Sequence, residues 1–90
     1  MQDNDLEGQG SNTKGLANPK QRAILAAIES LIIKQGYLPT VAEIAEVAGL
    51  ASTSTTFHWL QKLEEEGYII KAPGIHRSIR LTPKGYSVLM

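Results

Sequence analysis

Between Thr40 and Gly67 the chain sets two helix start signals and two glycine stops in close succession, and that spacing leaves few folds open. Thr40-Val41-Ala42-Glu43 reads as a capping box. In such a box a Thr hydroxyl and a Glu carboxylate three residues later satisfy orphan N–H groups of the first helical turn. Ile44, Ala45 and Ala48 then share one face at helical spacing, and Gly49 suits the left-handed residue that ends a helix. Ser52 caps a further helix that runs through Leu60 and Leu63 and stops at Gly67. Two short helices joined by a glycine-containing turn form a helix-turn-helix. Such a unit commonly lays its second helix in the major groove of DNA.

The flanks extend the pattern. Asn18 is a strong N-cap, Pro19 fits the first helical position, and Gln21 stands where a capping box takes Glu or Gln. Ile24, Leu25, Ile28, Leu31 and Ile32 follow the three-four spacing of a buried stripe, which Gly36 closes. Pro39 then holds Leu38 in an extended conformation. After Gly67 the period shortens: residues 68–72 and 78–82 read as strands, with Pro73-Gly74 suited to the turn between them. The expected architecture is mainly α with a small β-hairpin, a three-helix winged helix-turn-helix over residues 18–82. Residues 83–90 read as a C-terminal extension able to form a short helix. Residues 1–17, rich in Gly, Asn, Gln and Asp, lack the apolar surface to repay ordering, and a disordered tail is expected there.

Composition limits the function classes. Without cysteine there is neither a disulfide framework nor a thiolate metal site, which suits a reducing cytoplasm. No apolar run approaches a membrane span and no charged-then-apolar leader opens the chain, so no membrane partner is expected. The formal net charge of zero counts against a polyanion as partner. Its distribution counts the other way. Residues 1–18 carry a net of −2, whereas residues 67–90 hold Lys71, Arg77, Arg80 and Lys84 with no acid. A polyanion responds to the face it approaches, not to the sum.

At helical spacing residues 52–66 divide into two faces. Thr56, Leu60 and Leu63 point toward the expected core, while Ser54, Thr55, His58, Gln61 and Lys62 point away from it. The outward groups donate to and accept from base edges and phosphates, and the free N–H groups at the helix start favour a phosphate. Ser52-Thr53-Ser54-Thr55-Thr56 is a poor way to begin a helix, each residue costing roughly half a kcal/mol against Ala. Such a lapse in an otherwise consistent sequence often marks a functional face. The plainer alternative is that these hydroxyls only cap the helix and face water. Lys71, His76, Arg77 and Arg80 on the hairpin form a second candidate surface, placed to touch phosphates or the neighbouring minor groove. Charge that protects an edge hairpin from aggregation explains them equally well. Trp59 is expected beside the first helix and Phe57 partly buried at the boundary of the faces; the alternative is an exposed Phe57 in contact with a thymine methyl. Neither His58 nor His76 has neighbours at metal-ligand spacing, and no nucleophile motif or phosphate loop is present. Neither a cofactor nor enzymatic activity is expected.

These blocks together resemble the N-terminal DNA-binding domain of the LexA repressor family. The resemblance is carried by residues 19–25, 36–45, 49–55, 60–64, 67–69 and 77–81, and covers about residues 18–82. It implies a winged helix that binds operator DNA as a transcriptional repressor, with the helix beginning at Ser52 in the major groove. The family's reading positions are occupied here by Ser52, Ser54, Thr55, Phe57 and His58. Family members continue into a linker and a self-cleaving peptidase domain that also supplies the dimer interface. With Met90 as the natural end, neither autoproteolysis nor that dimer is expected, and useful affinity needs a second copy or a partner protein. The alternative is a winged helix that binds proteins, suggested by the zero net charge, the acids Glu64–Glu66 and the pair Phe57 and Trp59.

Overall fold

Each helix begins where a side chain takes over the hydrogen bonds that the first turn lacks. In the computed structural model, which describes residues 17–90, the elements follow the order α1 (Pro19–Gln35), α2 (Val41–Ala48), α3 (Thr53–Glu65), β1 (Ile69–Ile70), β2 (Arg80–Leu81) and α4 (Pro83–Leu89). Asn18 and Gln21 close a reciprocal box at the start of α1, with N···O distances of 2.8 and 3.0 Å. Thr40 and Glu43 close another at α2, at 3.1 and 3.0 Å. Removing a cap of this kind typically costs about 1 kcal/mol. The helix ends are equally defined. At the end of α2, Leu50 N–H donates to Ala45 and Gly49 N–H to Glu46, the paired bonds of a Schellman motif. Gly49 takes φ 73° there, a conformation that costs a side-chain-bearing residue about 1–2 kcal/mol.

The core lies where α1, α2, α3 and the hairpin converge. Ile24, Leu25 and Ile28 of α1, Ile44 of α2 and Leu60 and Leu63 of α3 are fully buried, joined by Tyr68, Ile69, Ile79 and Leu81. Full burial of one such aliphatic side chain stabilises by about 1.5–3 kcal/mol. Gln21 is buried as well, and its amide donates to Glu66 at 3.1 Å, which ties the start of α1 to the end of α3.

The hairpin is shorter than its sequence pattern. Strands β1 and β2 pair antiparallel through Ile69↔Leu81 and Ile70↔Arg80, not over residues 68–72 and 78–82. Beyond them Ser78 Oγ accepts from Ala72 N–H at 3.0 Å and lies within bonding distance of the Ala72 and Ile75 carbonyls. A hydroxyl thus takes over backbone groups that a longer ladder would have paired. The turn itself is as expected: Ile75 N–H donates to Ala72 O at 3.1 Å, with Gly74 at φ 76°. Proline followed by positive φ is the signature of a type II turn.

Residues 83–89 are a helix docked on the core along one side. Val88 and Leu89 pack against the core, and Arg22 donates to Val88 O at 3.0 Å. The close approach occurs at Gly85, which lies against the Tyr68 carbonyl and Leu81. The domain therefore includes α4, beyond the boundary at residue 82 that the sequence pattern suggests. Among the described residues no helix is long and apolar enough to cross a membrane.

Candidate nucleic-acid interface

Helix α3 is held from behind and open in front. Thr56 is fully buried and its hydroxyl donates to Ser52 O at 2.9 Å, so even the inward-facing threonine of the hydroxyl run has its polar group satisfied. Leu60 and Leu63 continue that buried side. Ser54, Thr55, His58, Gln61 and Lys62 are all exposed. The faces divide as helical spacing predicts.

The exposed groups are not equally available. Ser52 is the N-cap: its Oγ accepts from Thr55 N–H at 3.2 Å and donates toward Thr55 Oγ1 at 3.1 Å. Its hydroxyl is therefore committed to holding the helix start. Thr55 keeps its own hydroxyl proton for an outside acceptor. Ser54 and His58 make no side-chain hydrogen bond among the described residues. Gln61 leans toward Glu65 at 3.3 Å, and Lys62 lies 3.8 Å from Glu66, both in solvent. Exposed pairs of this sort contribute about 0–1 kcal/mol and break readily.

A cleft of ≈ 540 Å³ lies between the Thr53–Phe57 flank of α3 and the hairpin loop. Thr53 and Phe57 of α3, Thr40, Val41 and Ala42 at the start of α2, and Lys71, Ile75 and His76 of the loop line it. Of the residues singled out in the sequence, Phe57, Lys71 and His76 meet here. Phe57 is half exposed, at 52%, with the Lys71 ammonium 5.9 Å from its ring centroid. Arg80 projects from β2 beside Ile70 and lies with Lys71 along a second, shallower groove. Sequence reasoning missed Thr53 and Ile75. The available signal for Ile75 was a large apolar side chain placed in a turn, where nothing of its own segment buries it; it is 59% exposed.

Arg77 departs most from expectation. Instead of reaching outward from the wing, its guanidinium grips Glu43 with two bonds, at 3.0 and 3.1 Å, and donates to Leu38 O at 3.0 Å. It also stacks over Tyr37, 4.8 Å from the ring centroid. The hydrogen bonds from Arg77, then from the Thr40 backbone, hold the Glu43 carboxyl down to about 2 from an ordinary 4.5. Lys84 is likewise occupied: its ammonium donates to Glu66 O at 2.7 Å, at the negative end of α3, and lies over the Tyr68 ring. Of the four cations after Gly67, half-buried Lys71 and exposed Arg80 are therefore the ones left without an anionic or carbonyl partner among the described residues.

Three capped helices, the third with an open polar face, followed by a short β wing, define a winged helix-turn-helix. A solved structure of similar shape is the transcriptional regulator Tm0710 from Thermotoga maritima, with TM-score 0.61 and 25% identity over 80% of this chain and 48% of that one. A family model described as the LexA DNA binding domain matches residues 13–78, and the chain belongs to that family. It is 42% identical over 74 residues to the LexA repressor of Limosilactobacillus reuteri (strain DSM 20016), covering 82% of this chain and 36% of that protein. It is 44% identical over 70 residues to the LexA repressor of Lactiplantibacillus plantarum, covering 78% and 33%. The LexA repressor of Frankia casuarinae is 40% identical over 73 residues, covering 81% and 28%. The chain thus spans about a third of the length of the curated relatives it matches.

Proposed function

We propose that this domain binds double-stranded DNA sequence-specifically, as a transcriptional repressor of the LexA type acting in the cytoplasm. Helix α3 enters the major groove, and repression follows from occupancy of the operator. The observation that carries this reading is the open front of α3, where Ser54, Thr55 and His58 face solvent while Thr56, Leu60 and Leu63 hold the helix to the core. Ser54, Thr55 and His58 read base edges, Phe57 offers an apolar contact to a thymine methyl, and Ser52 fixes the helix start. Lys62, Lys71, His76 and Arg80 meet phosphates, supported by the exposure of Lys62, His76 and Arg80 and by the place of Lys71, half-buried, at the edge of the cleft. With so few cations a single domain binds weakly, and a second copy or a partner protein supplies the remaining affinity.

The test begins with selection of sites from random duplex DNA by the 90-residue chain. Discrimination between the selected duplex and a scrambled one is then measured for the parent, Thr55→Ala and His58→Ala. A good base contact is worth about 1–3 kcal/mol of discrimination, so each variant should lose roughly fivefold or more. Unchanged discrimination in both removes these residues from reading. Failure to enrich any duplex would instead favour a protein partner, for which the exposed Phe57 and Ile75 offer an apolar contact.

A further inference from the structure

The hairpin loop carries charge toward the Thr53–Phe57 flank of α3, yet beyond the strand ladder its own hydrogen bonds are local. Ala72, Ile75 and Ser78 bond to one another. Among the described residues, the loop's side-chain bonds to the body of the domain all come from Arg77. Their acceptor is informative. Glu43 Oε1 also accepts from Thr40 N–H at 3.0 Å, so the carboxylate that starts α2 is the one that holds the loop. Gln35 at the end of α1 reaches the same oxygen at 3.4 Å. Leu38 O and the Tyr37 ring complete a socket built from the α1–α2 connection. A planar guanidinium fills such a socket by forking onto the carboxylate and stacking on the ring, which an ammonium does not do.

We propose that Arg77 is a positioning residue: with Glu43 it sets the pose of the wing against α3, and it is not itself a phosphate ligand. This rests on the DNA-binding reading for its functional consequence, though the latch itself exists in the free protein. Lys71 and His76 line the cleft that the latch holds open beside Phe57, so releasing Arg77 withdraws them together.

The two roles for Arg77 predict opposite signs at Glu43. If Arg77 gripped phosphate, Glu43→Gln would free it and remove a nearby negative charge, and operator binding would tighten. If Glu43 holds the wing through Arg77, the same change weakens binding. Gln serves the capping box as well as Glu does, as Gln21 shows at α1, so the variant keeps its helix start. Arg77→Lys separates the roles again, because it keeps the charge and loses the fork. The experiment measures fluorescence anisotropy of a selected operator duplex with the parent, Glu43→Gln, Arg77→Lys and the double variant. Amide ¹⁵N relaxation of the free proteins is recorded alongside.

Each single variant is expected to weaken binding about fivefold or more, the lower end of typical coupling between sites, with the double variant no weaker than the worse single. Order parameters across residues 71–79 should fall toward about 0.6 from the roughly 0.85 of rigid backbone. Tighter binding by Glu43→Gln with full affinity in Arg77→Lys overturns the proposal, and so does a wing that stays rigid in both. A parent that binds no selected duplex sinks the DNA-binding reading alone, and the relaxation data then decide the latch.

Discussion

Gly85 is where a single added carbon should do most damage. In α4 it lies directly against the Tyr68 carbonyl, and a Cβ there would overlap that oxygen and approach Leu81 Cβ to 3.3 Å. Neither neighbour yields easily. The carbonyl is backbone of the chain entering β1 and already accepts from Thr82 N–H at 3.0 Å, while Leu81 is core. The start of α4 must therefore lift. That strains the Thr82 cap on Gly85 N–H at 3.1 Å, the Thr82 hydroxyl bond to Gly67 O at 2.6 Å and the Lys84 bond to Glu66 O. Overpacking of this kind costs about 1–3 kcal/mol, and a rigid backbone neighbour argues for the upper end. Against it stands the better helix propensity of Ala, at most about 1 kcal/mol. The net for Gly85→Ala is a loss of about 2 kcal/mol. For a domain of this size about 4–8 °C of melting temperature follows each kcal/mol, so thermal unfolding followed by far-UV circular dichroism should shift down by about 8–16 °C. A variant melting at or above the parent would show that propensity alone governs α4, and that the helix is not docked on the hairpin.

Two further outcomes can be checked directly. If Lys62, Lys71 and Arg80 each release a counterion from a phosphate, the logarithmic salt slope should be about −2.7, so raising salt from 50 to 200 mM costs roughly 40-fold in affinity. Anisotropy titrations read this, and a slope near zero would refute DNA as the partner. For pH, the Glu43 carboxyl is depressed in the folded protein, so its bond to Arg77 contributes fully above the ordinary 4.5 and fades as pH falls toward about 2. Carboxyl chemical shifts of Glu43 should therefore titrate near 2, and Arg77→Gln should move that midpoint up. A parent midpoint at 4.5 would mean the ion pair is not formed in solution.

The helices were legible because their signals are local. Asn18, Thr40 and Ser52 cap within three residues of themselves, and Gly36, Gly49 and Gly67 end the helices through bonds to the preceding turn. Helical spacing likewise separated Thr56, Leu60 and Leu63 from the outward face of α3. What escaped the sequence depends on distant partners. Arg77 meets Glu43 across 34 positions of chain, and nothing adjacent to either residue announces the pair. Glu43 itself read as a cap, which it is, and one satisfied role hid the second. The strands were drawn too long because alternation in residues 78–82 cannot reveal that Ser78 turns its hydroxyl onto the backbone of Ala72. In α4 the stretch is too short to show a period, so the sequence allows a short helical extension there without revealing that Val88 and Leu89 pack against the core.

The mounting of α3 has a consequence for how such a protein changes over generations. Substitutions at exposed positions without core contacts usually move stability by no more than about 0.5 kcal/mol, and Ser54 and His58 occupy such positions. If the front of α3 reads DNA as proposed, mutation there alters its preference while the domain still folds. On that reading its targets would drift faster than its scaffold.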